Sequence, residues 1–266
     1  MNKSPSVVQQ EYISNHRRRK RFVMSLRILI LISFFAVWEI STRIGLLDAF
    51  IFSSPSRILG CITDMLADGS LFYHTGITVG ETIISFILVT VIGIVVAILL
   101  WMNQSLSEIL EPYLVVLNSL PKTALAPVLI VWLGNNIKTI IVAAVSVAVF
   151  GTILTIYTGF QSVDSEKIKL IYTFRGKKRD VLAKVVLPST VPLIISTMKV
   201  NIGLSLVGVI IGEFLAANAG LGYLIIYGSQ VFKLDWVLMS ILILCVLAGI
   251  MYQITGKLEK KYGAVK

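Results

Sequence analysis

The side chains able to make or break bonds are few in this chain and stand far apart. There are two histidines, His16 and His74, and two cysteines, Cys61 and Cys245. Neither pair has the spacing of a metal or disulfide framework, and no His-Glu-x-x-His occurs. No Gly-x-x-x-x-Gly-Lys-Ser/Thr loop is present, so the chain does not hold ATP in the P-loop manner. No serine, histidine and carboxylate converge at a spacing suited to nucleophilic catalysis. The informative polar residues are of another kind. Asn118, Ser119 and Lys122 interrupt an apolar run beside Pro121 and Pro127, and Glu213 with Asn218 closes another. Broken backbone and polar groups at membrane depth persist only where protein or a water-filled cavity satisfies them. The stretch 108–134 is therefore either the wall of a solute pathway or a satisfied kink between packed helices. A third group is basic: Lys167, Lys169, Arg175, Lys177, Lys178, Arg179 and Lys184 crowd residues 161–188. The chemistry on offer is recognition, without catalytic, cofactor-binding or metal-binding residues in the chain.

The elements that must position these residues are membrane spans. The chain has 266 residues, of which 56% are hydrophobic and 14% charged, with mean hydropathy +0.87. That is an all-α integral membrane composition. Six spans are expected, at about 28–44, 77–101, 108–134, 137–160, 189–214 and 236–254. The third is broken at its prolines. The net charge of +10 does not point to nucleic acid, because the cations sit between apolar runs. Residues 1–27, 161–188 and 256–266 hold eighteen of the twenty-four Lys and Arg, which places these segments and both termini in the cytoplasm. Residues 1–21 read as a disordered basic tail, 22–54 as the first span with its outer loop, and 256–266 as a second basic tail. The run from Ile28 has no cleavage site, so the first span is retained. Glu39 and Arg43 pair at its outer end. Residues 57–66 have helical periodicity and lie at the outer interface. Lys199, inside the fifth span, either snorkels to the cytoplasmic interface or faces a cavity.

The loop 161–188 reads as two short helices around a turn. Ser165 to Phe174 forms the first, Arg175-Gly176 the bend and Asp180 to Val186 the second, and Leu187-Pro188 ends it. This pattern resembles the EAA loop of ABC-importer permease subunits. Val185, Leu187 and Pro188 match the end of that motif. The front departs from it: Lys169-Leu170-Ile171 stand where Glu-Ala-Ala would be, and Gly176 comes one residue late, with Arg175 in the glycine's place. Leu120-Pro121-Lys122-Thr123-Ala124-Leu125-Ala126-Pro127, followed by Trp132-Leu133-Gly134, resembles the nitrate/sulfonate/taurine branch of these permeases. So does the stretch from Gly212 to Ile225, with its Glu213 and Gly220-Leu221-Gly222-Tyr223.

The resemblance covers residues 55–255 and implies a MetI-like helical bundle in a bacterial or archaeal inner membrane. It implies alternating access by two permease copies, expected to be identical, moved by two ABC ATPase subunits that bind ATP and Mg. An extracytoplasmic solute-binding protein delivers the solute, of a sulfonate, taurine, nitrate or vitamin-precursor kind. The ATPase dock is expected at Ile168, Ile171, Tyr172, Phe174, Arg175, Gly176, Leu187 and Pro188, with the lysines on a solvated rim. Asn118, Ser119, Lys122 and Glu213 are the pathway candidates, although Glu213 could instead hold a re-entrant turn. An ion-gradient-driven carrier or channel is the other reading; it has no use for an ATPase dock.

Orientation can be tested with the two thiols. A membrane-impermeant maleimide added to cells with a permeable outer wall should label Cys61 much faster than Cys245. Labelling of Cys61 only after lysis would reverse the topology.

Overall fold

The computed structural model describes residues 7–262, and these hold helices and no strand. In order they are α1 (Val7–Arg43), α2 (Ala49–Phe52), α3 (Pro55–Ala67), α4 (Ser70–Met102), α5 (Gln104–Ser119), α6 (Lys122–Leu133), α7 (Ile137–Gln161), α8 (Ser165–Thr173), α9 (Lys178–Val181), a π-helical turn (Leu182–Val186), α10 (Leu187–Ala216), α11 (Leu221–Gln230) and α12 (Leu234–Tyr262). They group into two compact units, residues 1–61 and 62–266.

In the first unit, residues 1–6 lie outside the described residues. From Val7 the expected tail is helical and runs without a break into the first span. Glu39 and Arg43 pair as expected, at 2.6 Å. The carboxylate does more than that: its second oxygen accepts the backbone N–H of Ser56 at 3.0 Å and so fixes the start of α3. Asp48 caps α2 through the Phe50 N–H.

The second unit is built on α4, α7 and α10. Helices α7 and α10 are antiparallel and meet along their whole length. Residues 140 and 144 face glycines 212 and 208, Thr152 bonds Asn201, and Gly159 faces Leu193. In lipid there is no hydrophobic force between helices, so close backbone approach at small residues must do this work. A Cβ on Gly208 would sit 2.6 Å from the Ala144 Cα, and one on Gly212 would sit 2.9 Å from the Ile140 Cα. Gly93 of α4 packs likewise on Thr152, where a Cβ would be 2.5 Å from the Thr152 Cγ2.

These contacts fix the number of crossings. The ends of α4 and α7 share one buried cluster with Val181 and Val186, including Ala97, Leu100, Ile156 and Phe160. Their starts both meet the end of α10, through Thr78 with Glu213 and Ile140 with Gly212. Helices α4 and α7 therefore run in the same direction, and the chain between them must cross back. That chain is α5 plus α6, bent by 97° at Leu120-Pro121, so the bent pair is one broken span and the total is six. Pro127 was expected to break the span as well, yet it lies inside α6 and the bend is at Pro121 alone.

The end of the basic loop also differs from expectation. Leu187-Pro188 does not terminate it; α9, the π-turn and α10 form one helical run of 39 residues. In the π-turn the Leu187 N–H bonds Leu182, five residues back. The widened turn leaves room for Pro188, which has no N–H to place.

The α7–α10 seam makes a testable demand. Gly208→Val should cost about 3 kcal/mol by forcing the backbones apart. Gly203→Ala, at a glycine with nothing within 4 Å, should leave the melting temperature unchanged in detergent. Equal melting of wild type and Gly208→Val would refute the seam.

Candidate functional site

Three polar sites are positioned by this bundle. The first is the loop joining α7 to α10. Helix α8 begins at Asp164, whose side chain accepts the Glu166 N–H at 2.9 Å. It ends in a Schellman motif: the Gly176 N–H bonds Ile171 at 2.9 Å and the Arg175 N–H bonds Tyr172 at 2.9 Å. The left-handed position is Arg175, with φ 58°, and not Gly176. Gly176 is needed for another reason, since a Cβ there would lie 2.9 Å from the Ile171 carbonyl oxygen. The helix is two-faced. Ile168 and Ile171, expected at a docking surface, instead pack on the protein's own core, as does Leu187. Leu170, Tyr172 and Phe174 are exposed, Phe174 by 76%, and Pro188 is exposed as well. Lys178 is not a free rim cation: its Nζ stands 5.4 Å from the Trp101 ring centre.

The second site is the break between α5 and α6. The Lys122 ammonium donates to the carbonyls of Leu117 and Asn118, which α5 leaves unbonded at its C-terminus. It also stands 5.6 Å from the Phe150 ring centre. Lys122 is thus engaged as a cap for the break. The Ser119 hydroxyl donates to the Val115 carbonyl at 2.9 Å, and Asn118 reaches α7 at Gly151. Asn118 and Ser119 nonetheless remain exposed on the single chain.

The third site is a buried cluster at the far end of α10. Glu213 is 1% exposed. One carboxyl oxygen accepts the Thr78 hydroxyl at 2.7 Å, and the other accepts the Gly222 N–H. Thr78 in turn accepts the Leu221 N–H at 2.8 Å, and His74 Nδ1 accepts the Gly220 N–H at 3.0 Å. Segment 217–222 is therefore held by its own backbone donors on side chains of α4 and α10. Glycine is required twice: Gly220 has φ 116°, and a Cβ on Gly222 would lie 2.7 Å from a Glu213 oxygen. The imidazole of His74 stacks on Tyr223. Glu81, 4% exposed, brings its carboxyl against that of Glu213.

Sequence reasoning missed Glu81, Thr78 and His74. The signal was available in the single acidic residue of the second span, three positions after a threonine and seven after a histidine, all on one helix face. The Lys199 ammonium, expected either to snorkel to the cytoplasmic interface or to face a cavity, pairs with Glu259 near the C-terminal end of α12 at 2.9 Å and stands 4.5 Å from the Tyr252 ring centre.

Comparison with known proteins agrees with this architecture. Residues 89–262 match the family described as binding-protein-dependent transport system inner membrane component. The formylaminopyrimidine transport permease protein ThiX of Halalkalibacterium halodurans is 30% identical over 196 residues, 73% of this chain and 77% of that one. The taurine transport system permease protein TauC of Escherichia coli is 22% identical, covering 91% of this chain and 92% of its own. The riboflavin transport system permease protein RibX of Chloroflexus aurantiacus is 24% identical, covering 84% and 83%. In structure, the chain is similar to one in an inward-facing form of the MetNI methionine ABC transporter, with a TM-score of 0.64 at 16% identity over 74% of this chain and 97% of that one. The chain belongs to the inner-membrane components of binding-protein-dependent transport systems: it is a multi-pass permease subunit of an ABC importer, and ATP hydrolysis falls to a partner ATPase.

Proposed function

We propose that this permease moves a small polar or anionic solute by alternating access, as one of two copies of the same chain. The solute is of a sulfonate, taurine or nitrate kind, or resembles a vitamin precursor; relatives named for taurine, formylaminopyrimidine and riboflavin support that range. Residues 55–255 are the transport domain, residues 22–54 add a span, and the basic segments 1–21 and 256–266 face the cytoplasm.

The observation that carries the mechanism is the continuity of residues 178–216, 39 residues or about 58 Å of helix. Its inner end is the loop at 161–188, and its outer end holds Glu213. A push on the loop is transmitted along one stiff element to the segment that Glu213 secures. Leu170, Tyr172 and Phe174 form the exposed apolar contact for the ATPase, while Arg175 and Gly176 set the turn that presents them. Ile168, Ile171 and Leu187 fix the loop to the bundle. On the solute side, Asn118 and Ser119 face the space between the two copies, with Lys122 stabilising the break that exposes them. Glu213 acts as a latch on the outer segment rather than as a direct solute ligand.

Two sets of variants test this reading. Phe174→Ala should cost about 2 kcal/mol of ATPase association, as expected for a buried aromatic anchor. Gly176→Val should uncouple hydrolysis from uptake by pushing the turn off Ile171. Lys169→Ala, on the exposed face, should behave as wild type, and Arg175→Gly should keep coupling because glycine relieves the left-handed strain. Co-purification of the ATPase with uptake in proteoliposomes reads all four. Wild-type association and coupling in both Phe174→Ala and Gly176→Val would move the dock elsewhere.

For the latch, Gly222→Ala, whose Cβ would collide with Glu213, and Thr78→Val, which removes the bonds to Glu213 and from the Leu221 N–H, should each raise maleimide reactivity at an Asn218→Cys reporter at least about tenfold, the effect of losing one or more buried hydrogen bonds. The native cysteines would be replaced first, and uptake should fall in parallel. Unchanged reactivity in both variants would remove the latch.

A further inference from the structure

Helix α1 is 37 residues long, about 55 Å, whereas a bilayer's hydrocarbon core is about 30 Å thick. The excess is at its N-terminal side, where Arg18, Arg19, Lys20 and Arg21 occupy one full helical turn. At 100° per residue these four cations point in all directions around the axis. All four side chains are exposed, and so is Arg27, which shares the Lys20 face two turns on. Among the described residues none of these five side chains has an acidic partner or a hydrogen bond. Residues 1–27 contain seven Lys and Arg against one carboxylate, Glu11. Directly after the ring come Phe22, Val23, Met24 and Leu26, all exposed. They draw the hydrocarbon edge up to the ring, and Arg27 can snorkel back to it along its own stem.

Orientation alone asks only for cations near the end of a span. It does not ask for a rigid helix that carries them, unpaired and in a closed ring, to the depth of the headgroups. A protein or nucleic-acid partner would engage one face of such a helix. Headgroups surround a helix where it enters the leaflet, and only they meet a ring on every side. We propose that Arg18, Arg19, Lys20 and Arg21, with Arg27 below them, form a binding site for the phosphate groups of anionic phospholipids in the inner leaflet. The guanidinium forks bond phosphate oxygens in pairs, and the exposed apolar residues beneath take the upper acyl chain. This inference does not depend on the transport reading.

The test is electron paramagnetic resonance of spin-labelled phosphatidylglycerol and phosphatidylcholine with the purified full-length chain in mixed bilayers. The wild type should hold the anionic label at least about threefold more strongly, given the attraction expected per juxtamembrane cation. The preference should fall to about one in roughly 1 M salt, where the screening length is about 3 Å. The fivefold glutamine variant at 18, 19, 20, 21 and 27 should also lose it, whereas the fivefold lysine variant should retain most of it. A loop variant, Lys177→Gln with Arg179→Gln, should leave it intact. Outside labelling of Cys61 checks that each variant inserts in the same direction; if the glutamine variant does not, the salt arm and the loop variant decide. Three results would overturn the proposal: no preference in the wild type, a preference that survives high salt, or an equal loss in the loop variant. Displacement of the anionic label by added RNA at low salt would assign the ring to a soluble polyanion and overturn it as well.

Discussion

The close approach of α7 and α10 is the contact on which the rest of the bundle depends. Gly208 and Gly212 let the two backbones meet at Ala144 and Ile140, and Gly93 lets α4 join them at Thr152. A bilayer offers no hydrophobic reward for bringing helices together, so van der Waals contact and a few interhelical hydrogen bonds must suffice. Thr152 supplies one such bond, to Asn201 at 2.9 Å, at the junction of all three helices. Once this core is set, α12 has a surface to bind and the Lys199–Glu259 pair has its geometry.

The same core explains how two sites at opposite ends of the bundle share one element. The π-turn at 182–186 absorbs Pro188 and lets α9 continue into α10. Without that turn the proline would leave a hinge between loop and span. With it, the loop and Glu213 are ends of one helical run. The outer segment is tied by three of its backbone N–H groups, those of Gly220, Leu221 and Gly222, to His74, Thr78 and Glu213. Each tie is a single hydrogen bond, and those of Leu221 and Gly222 are buried, strong while formed and costly to leave unmade. An arrangement of that kind favours two discrete positions over a continuum.

The turn at 174–176 illustrates how a sequence can depart from a motif and keep its shape. The Schellman geometry needs one residue in the left-handed region and one backbone that passes close to Ile171. Here the two requirements fall on different residues, Arg175 and Gly176. Sequence reading assigned the bend to Arg175 and Gly176 together, and the residue types alone do not apportion the two requirements between them. The glycine that stands one place late in the motif is where the second requirement applies.

Much of the architecture was legible in the residues. Apolar runs of span length located each crossing helix, because each must satisfy its backbone internally and cover about 30 Å, although α1 and α12 run on past their apolar stretches at the basic ends. The break at Pro121 was legible from the missing N–H, and the basic loop from its charge. The direction each side chain faces was not. Ile168 and Phe174 are equally apolar in sequence, and only packing on α7 and the α9 region turns the first inward and leaves the second outside. Lys199 could not be paired with Glu259, nor Thr78 with Glu213, because such partners lie 60 and 135 residues apart and are brought together by helix crossing alone. Periodicity and composition thus set which segments cross and what loops lie between them. The tertiary fold alone decided which polar groups meet, since in a bundle of similar apolar helices register is fixed by where glycines admit a neighbour.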